Sequence, residues 1–169
     1  INNFNVVFVS DYLKNLKLFL FLFKKKSTIN NFLLPHFNTN KITKKRKQIF
    51  VWSVQRERGL IDFIDIWINE INTNSKNAKF YIFGIDKIPN NYNNKYLKSK
   101  NIFFKGRVSK NELKKTYCEA MGMICLGYDE TFCLNALEAN ACGLPVITLG
   151  KTALKNYVLN NYNGFIVDT

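Results

Sequence analysis

From residue 48 onward the chain alternates about five times between short, continuous apolar runs and segments of helical periodicity. The runs are "QIFVWSV", "AKFYIFG", "NIFFKG", "MGMICLG", "PVITL" and "GFIVD". Most are continuously apolar and not alternating, so they read as strands buried on both faces, and such strands belong to parallel sheets. Parallel strands need crossover connections, which the intervening helical segments supply. Leu60, Phe63, Ile64, Trp67, Ile68 and Ile71 form one amphipathic stripe. Ser109 with Glu112 three residues on makes a capping box that opens a helix through about Ala120. Further helices are predicted over 131–142 and 152–160, and the Asn-rich 90–100 is a loop or weak helix. The expected fold is α/β, a Rossmann-like doubly wound parallel sheet, with ligands outside the carboxyl ends of the strands.

The first third is less regular. "FNVVFV" (4–9) reads as a strand, 11–23 as an apolar helix, and "STINNFLLP" as an extended segment closed by Pro35. The charged stretch 38–47 has the composition of a linker or exposed loop. Residues 1–35 are therefore expected to end one domain and 36–169 to form most of another. Beginning at Ile1 and stopping abruptly at Thr169, the sequence reads as a fragment of a longer protein. "LFLFLF" at 18–23 is far short of the ~20 apolar residues of a membrane span; with "KKK" following, it suits a buried helix or a surface-docking face.

A net charge of +13 invites a nucleic-acid reading, but 21 lysines against 4 arginines, among many asparagines, fit general compositional drift as easily as a selected patch. Arginine, which clamps phosphate and reads guanine, is scarce. The four cysteines, Cys118, Cys125, Cys133 and Cys142, show no CxxC pair and no metal spacing with the single histidine, His36. Buried free thiols in a reducing compartment are expected. No GxGxxG follows any strand.

In a chain with only twelve acidic residues, "ETFCLNALEANACGLPVITL" (130–149) sets Glu130 and Glu138 eight apart in apolar company. The segment reads as loop, helix, stop and strand. Thr131 is the expected N-cap, Leu134, Leu137 and Ala141 the apolar stripe, Gly143 the left-handed residue after the helix, and Pro145 the stop. Glu130 then lies at the carboxyl end of a strand, and Glu138 two turns on, ~12 Å by helical rise. Amides from Thr131 to Leu134 would face the same mouth, where helix N-termini bind anions. A ligand carrying both phosphates and hydroxyls, a nucleotide-sugar, satisfies amides and carboxylates together. A plainer alternative fits the same spacing: Glu130 complementing the helix dipole and Glu138 solvated on the helix.

The segment resembles the E-x7-E region of the retaining GT-B glycosyltransferases of the group 1 type. The likeness continues in order through "VWSVQRERGLIDFIDIW", "FFKGRVSKNELKKTYCEA", "ALKNYVLNNYNGFIVD" and, upstream, "VVFVSDYLKN". It implies the C-terminal, donor-binding domain of a GT-B fold preceded by the end of an acceptor-side domain. By this resemblance Glu130 would hold donor-sugar hydroxyls and Arg58 would neutralise the diphosphate leaving group, the two catalytic candidates. Glu138 would accept from the ribose, the amides of Thr131, Phe132, Cys133 and Leu134 would take the phosphates, and Gly106, Arg107 and Val108 would lie against the base. Arg56 is a lesser donor-binding candidate, two residues from Arg58. No cofactor or metal is implied; a UDP- or GDP-sugar is the substrate, and the acceptor is a glycan, lipid or protein. The resemblance implies a cytoplasmic enzyme, and the basic charge suits docking at the cytoplasmic face of an anionic membrane. The sequence departs from the pattern at Cys133, where Gly is common, at Leu126-Gly127, where Pro-Ser is usual, and at Asn156, where Glu is frequent. His36 is at no catalytic position of the family. Without the rest of the acceptor-side domain, the chain is expected to bind a donor but not to turn over alone. Two other readings are a non-catalytic nucleotide- or glycan-binding relic and a basic nucleic-acid-binding domain, the latter requiring clustered Arg and exposed aromatics.

Overall fold

A computed structural model describes residues 4–16, 23–39 and 45–167. The apolar runs form one six-stranded sheet: β3 (Ile49–Trp52), β4 (Lys79–Phe83), β5 (Ile102–Gly106), β6 (Gly122–Ile124), β7 (Val146–Thr148) and β8 (Gly164–Ile166). All neighbours pair parallel, in the order β5-β4-β3-β6-β7-β8. The chain winds outward from β3 to one edge, returns to β6 beside β3, and winds outward to the other edge. The reversal between β3 and β6 is a topological switch point, where the loops leaving adjacent strands diverge and open a crevice.

Flanking helices cover the sheet. In α2 (Leu60–Ile66) the expected stripe is buried through Leu60, Phe63 and Ile64. It continues through a π-helical turn, Trp67–Ile71, into α3 (Asn72–Asn74). Trp67 stacks on Phe80 of β4 at 5.0 Å between ring centroids and donates its indole N–H to the Lys100 carbonyl at 2.9 Å. The Asn-rich stretch does contain a helix, α4 (Asn94–Ser99), because the Asn93 side chain accepts from the Tyr96 amide at 2.7 Å. In α5 (Lys110–Glu119) Ser109 caps the Glu112 amide at 3.2 Å, as its spacing predicts.

Four expectations need correction. The helix of α6 is Leu134–Ala141, and its N-cap is Cys133, at φ +67°, not Thr131. The buried face of α6 is Ala136, Glu138 and Ala139, while Leu134 is exposed, so small side chains let this helix lie close on the sheet. Upstream, α1 stops after Asp11–Asn15, and Phe23–Thr28 is a strand, β2, parallel to β1 (Phe4–Phe8). Of the helix expected over 11–23, residues 17–22 lie outside the described residues, as do 40–44 of the expected linker. The last helical segment is a 3-10 turn, Ala153–Asn156.

Arg46, within the Lys-rich stretch read as a loop, ties the molecule together. Its guanidinium donates to the carbonyls of Tyr117 (2.9 Å), Cys118 (3.3 Å) and Ala120 (2.7 Å) at the end of α5. It donates also to Cys142 (3.2 Å) and Gly143 (2.9 Å) at the end of α6. One cation thus satisfies the orphan carbonyls of two helices and complements both dipoles. Arg46→Ala is expected to cost about 2–3 kcal/mol and to lower the melting temperature by roughly 5–10 °C. Arg46→Lys should recover less than half, because an ammonium cannot span both helix ends; thermal denaturation of the three proteins checks this.

Candidate active site

The loops after β3 and β6 meet at the switch point. Gly59, which ends the first, has φ +102°, and a β-carbon there would come within 2.9 Å of Leu126 Cδ1 in the second. Glycine therefore lets the two loops touch, and the residue before it, Arg58, reaches across. Arg58 Nη1 donates to the Tyr128 carbonyl at 2.7 Å, and Nε stands 3.7 Å from Glu130 Oε2. The other carboxylate oxygen of Glu130 turns back on its own loop, accepting from the amides of Thr131 (3.0 Å) and Phe132 (3.3 Å). Glu130 is buried; amides and guanidinium compensate its charge.

This closed carboxylate turn explains why the helix starts late. With two amides engaged by Glu130, the chain makes one left-handed residue, Cys133, and only then enters α6. Left-handed followed by right-handed backbone makes successive N–H groups converge in an anion-binding nest. The amides of Cys133, Leu134 and Asn135 meet no acceptor among the described residues. They border a cleft of 330 Å³ whose walls also include Arg58, Glu130 and Gln55, with Val9 and Asn31 from the N-terminal segment. A fixed cation, free amides and an oriented carboxylate share one concavity, which suits a polyanionic group joined to a hydroxyl-bearing one.

A second cleft, of 250 Å³, adjoins the first through Asn135 and is lined by Ser53, Phe83, Gly84, Arg107, Val108 and Leu113. Gly106, at φ +63°, turns the chain out of β5, and the Arg107 amide donates to Asp86 Oδ1 at 3.2 Å. The Arg107 side chain is exposed, with Nε 3.7 Å from Asp86 Oδ2. Arg56, by contrast, faces a separate cleft with Glu57, Asp62 and Tyr128, apart from Glu130. His36 lies beside the ring of Phe37, 5.3 Å between centroids.

Glu138 is buried, so the solvated alternative does not hold for it. It lies in the walls of neither cleft but one helical turn from Asn135, with Lys110 Nζ 3.9 Å from its Oε1. Burial pushes its carboxyl above the ordinary value, and Lys110 and then His36 pull it partly back. Cys125, Cys133 and Cys142 are buried and Cys118 half-buried, all as free thiols. The thiols of Cys125 and Cys133 sit 3.6 Å apart at the two ends of the Glu130 loop. Hydrogen bonding between them, then burial, holds the Cys125 thiol well up and therefore neutral. Among the described residues no group of three or more His, Cys, Asp or Glu could hold a metal ion, and no helix is long and apolar enough to cross a membrane.

Sequence reasoning missed Asn135, whose Nδ2 donates to the Ser53 carbonyl and which forms the wall between the two clefts. Its spacing from Glu138, three residues on a helix, was the available signal. It also missed Tyr157, whose hydroxyl faces the carbonyls of Phe132 and Cys133. No local pattern announces a contact 24 residues away.

The family model described as "Glycosyl transferases group 1" matches residues 35–169. No curated protein sequence matches the chain. A glycosyltransferase structure from Rickettsia africae ESF-5 superposes with a TM-score of 0.76 at 17% identity, covering 97% of this chain and 49% of that one. The pneumococcal O-GlcNAc transferase GtfA, in complex with UDP and GlcNAc, gives 0.73 at 16% identity, covering 98% and 34%. The C-terminal domain of a group 1 family glycosyl transferase (LpcC) from Francisella tularensis gives 0.60 at 20% identity, covering 82% and 80%. The chain spans about a third to a half of the longer structures it matches. Their shared architecture is that of the C-terminal domain of GT-B enzymes, the domain that the family resemblance implies, and its parallel α/β sheet is the one expected from the alternating strands and helices.

Because folding raises the Glu138 pKa, its charge opposes the folded state as pH rises through and above the ordinary carboxylate range. Glu138→Gln should therefore raise the melting temperature at neutral pH. The gain should vanish below about pH 4.3, where the wild-type carboxyl is protonated folded and unfolded alike; melts across a pH series check both arms.

Proposed function

The chain belongs to the group 1 glycosyl transferases, and from that premise we propose that it forms the donor half of an enzyme that moves a sugar from a nucleoside-diphosphate sugar to an acceptor hydroxyl. The observation that carries this reading is the meeting of Arg58 and Glu130, one from each loop of the switch point, beside three amides without acceptors among the described residues. The base lies in the cleft of Gly84, Arg107 and Val108, and the ribose passes Asn135 toward Glu138. The diphosphate rests on the amides of Cys133, Leu134 and Asn135 with Arg58 alongside, and the sugar meets Glu130.

Cleavage of the glycosyl–phosphate bond builds negative charge on the departing oxygen. Arg58 and the amides are already oriented toward that charge, so little reorganisation accompanies its growth. Glu130, held by two amides, presents a carboxylate of fixed orientation to hydroxyls of the transferred sugar and to the cationic character that develops at its anomeric carbon. We assign transfer with retention: the acceptor hydroxyl attacks from the face the diphosphate leaves, and a phosphate oxygen takes its proton. The acceptor enters from the side of Val9 and Asn31, where the N-terminal segment closes the cleft.

Calorimetric titration with UDP, GDP and ADP tests the site. One nucleotide should bind saturably, and Glu138→Ala should weaken it about 10- to 100-fold, the loss of a hydrogen bond to a charged group. In the intact enzyme, Glu130→Gln should lower kcat about 10²- to 10³-fold while nucleotide affinity stays within a few-fold. Absence of nucleotide binding by the intact enzyme, or full turnover by Glu130→Gln, would overturn the assignment.

A further inference from the structure

The turn that carries the free amides is held from behind. The Thr131 carbonyl accepts from Ser10 Oγ at 2.5 Å, and the next two carbonyls, of Phe132 and Cys133, face the Tyr157 hydroxyl, the second at 3.0 Å. Ser10, Tyr157 and the Phe132 ring line a neighbouring cavity of 340 Å³ that includes neither Arg58 nor Glu130. The three carbonyls are thus anchored on the side away from the Arg58–Glu130 cleft.

In a trans peptide the C=O and the following N–H point in opposite directions, and no peptide among the described residues is cis. Anchoring the carbonyls of 131, 132 and 133 therefore aims the amides of Phe132, Cys133 and Leu134 at the cleft. The Phe132 amide bears this out by meeting Glu130 Oε1 at 3.3 Å, on the cleft side. The orientation has a cost: Cys133 is a non-glycine residue at φ +67° and ψ +72°, a conformation disfavoured by roughly 1–2 kcal/mol. A glycine there would adopt it freely; a cysteine needs its carbonyl held. Burial, with Cys133, Cys125 and Glu130 adding to it, pushes the Tyr157 phenol far up, so it remains a donor.

We propose that Tyr157, supported by Ser10, is a positioning residue for the anion-binding turn. Its single O–H, shared between the Phe132 and Cys133 carbonyls, holds this pair of peptide planes and so aims the amides of Cys133 and Leu134 at the leaving diphosphate. The part concerning the diphosphate rests on the donor-site reading; the part concerning the turn does not. Ser10 stands between β1 and α1, so this arrangement also links the N-terminal segment to the orientation of the amides.

The test is Tyr157→Phe in the intact protein, with two readouts. One is affinity for whichever of UDP, GDP or ADP the wild type binds. The other is the Cα–Hα coupling of Cys133 by NMR, which reports positive φ. Tyr157→Phe should weaken the nucleotide about tenfold, and Cys133 should leave the positive-φ region. Arg46→Ala, which loosens the fold at the opposite ends of α5 and α6, should lower the melting temperature and change neither readout. Unchanged affinity, or a Cys133 coupling that stays at its wild-type value, overturns the proposal. If Tyr157→Phe does not fold, Ser10→Ala applies the same test through the Thr131 carbonyl, with a smaller, few-fold loss expected and an unchanged affinity counting against it. If the wild type binds no nucleoside diphosphate, the donor reading fails, and the Cys133 coupling alone decides whether Tyr157 sets the turn.

Discussion

Everything at the cleft depends on the parallel pairing of β3 with β6, through Phe50 opposite Gly122 and Val51 opposite Met123. These strands are about seventy residues apart in the chain, with two strands and three helical crossovers between them. Their adjacency makes the connections leave in opposite directions, and that divergence is why a crevice exists. It also places the Gly59 backbone against Leu126, the contact that brings Arg58 to Glu130. The aromatic layer of Trp52, Phe63, Trp67 and Phe80 behind this part of the sheet leaves the pairing little freedom to shift. A strand slipped by one residue would turn its buried side chains to the opposite face.

The cleft concentrates features that ordinary packing would avoid. Its carboxylate, Glu130, is buried beside a guanidinium, and one turn of α6 beyond Asn135 a second, Glu138, is buried with an ammonium 3.9 Å away. Asp129 and Cys133, both non-glycine, have positive φ within five residues of each other. Three amides stand without acceptors among the described residues. Each costs stability, and each is what a site for a charged, hydroxylated ligand requires before the ligand arrives. The rest of the domain offsets them through a continuous apolar core and through Arg46, which gathers five carbonyls at the other ends of the two helices.

The parallel sheet was legible because its strands are apolar throughout and too short for buried helices, and α2 because its stripe repeats over three turns. The start of α6 was not. Thr131 is a better N-cap residue than cysteine, but Glu130 already occupies the Thr131 and Phe132 amides, so local propensity lost to the carboxylate beside it. The buried face of α6 was misjudged because Leu134 and Leu137 are more apolar than Ala136 and Ala139, whereas the close approach to the sheet selects small residues. The helix expected over 11–23 ends at Asn15, and Phe23 already belongs to β2 beside β1. Arg46 was hidden in a charged stretch whose composition says loop, and its five acceptors lie 71 to 97 residues downstream. At the site, Glu130 and Glu138 could be singled out because carboxylates in apolar company are conspicuous, and Arg58 through the family resemblance around Arg58-Gly59. The residues around them, Ser10 and Tyr157 at the carbonyls of 131–133 and Asn135 at the Ser53 carbonyl, are chemically ordinary in the sequence and acquire meaning only through tertiary contact.

The two sides of the Thr131–Cys133 turn divide its work. Toward the cleft, Glu130 takes the first two amides, and those after them meet no acceptor among the described residues. On the other side, Ser10 and Tyr157 hold the carbonyls. Ser10 comes from the N-terminal β1–α1 unit and Tyr157 from the chain after β7, so the turn is oriented by elements from both ends of the sequence. Val9, the neighbour of Ser10, is in the wall of the Arg58–Glu130 cleft itself. Any movement of that N-terminal strand relative to the sheet would therefore alter the shape of the cleft through Val9 and the aim of its amides through Ser10 at once. A hydrogen bond of this kind has only to choose between two orientations of a peptide plane, and one of about 1 kcal/mol can bias that choice several-fold without adding anything to the ligand's own contacts.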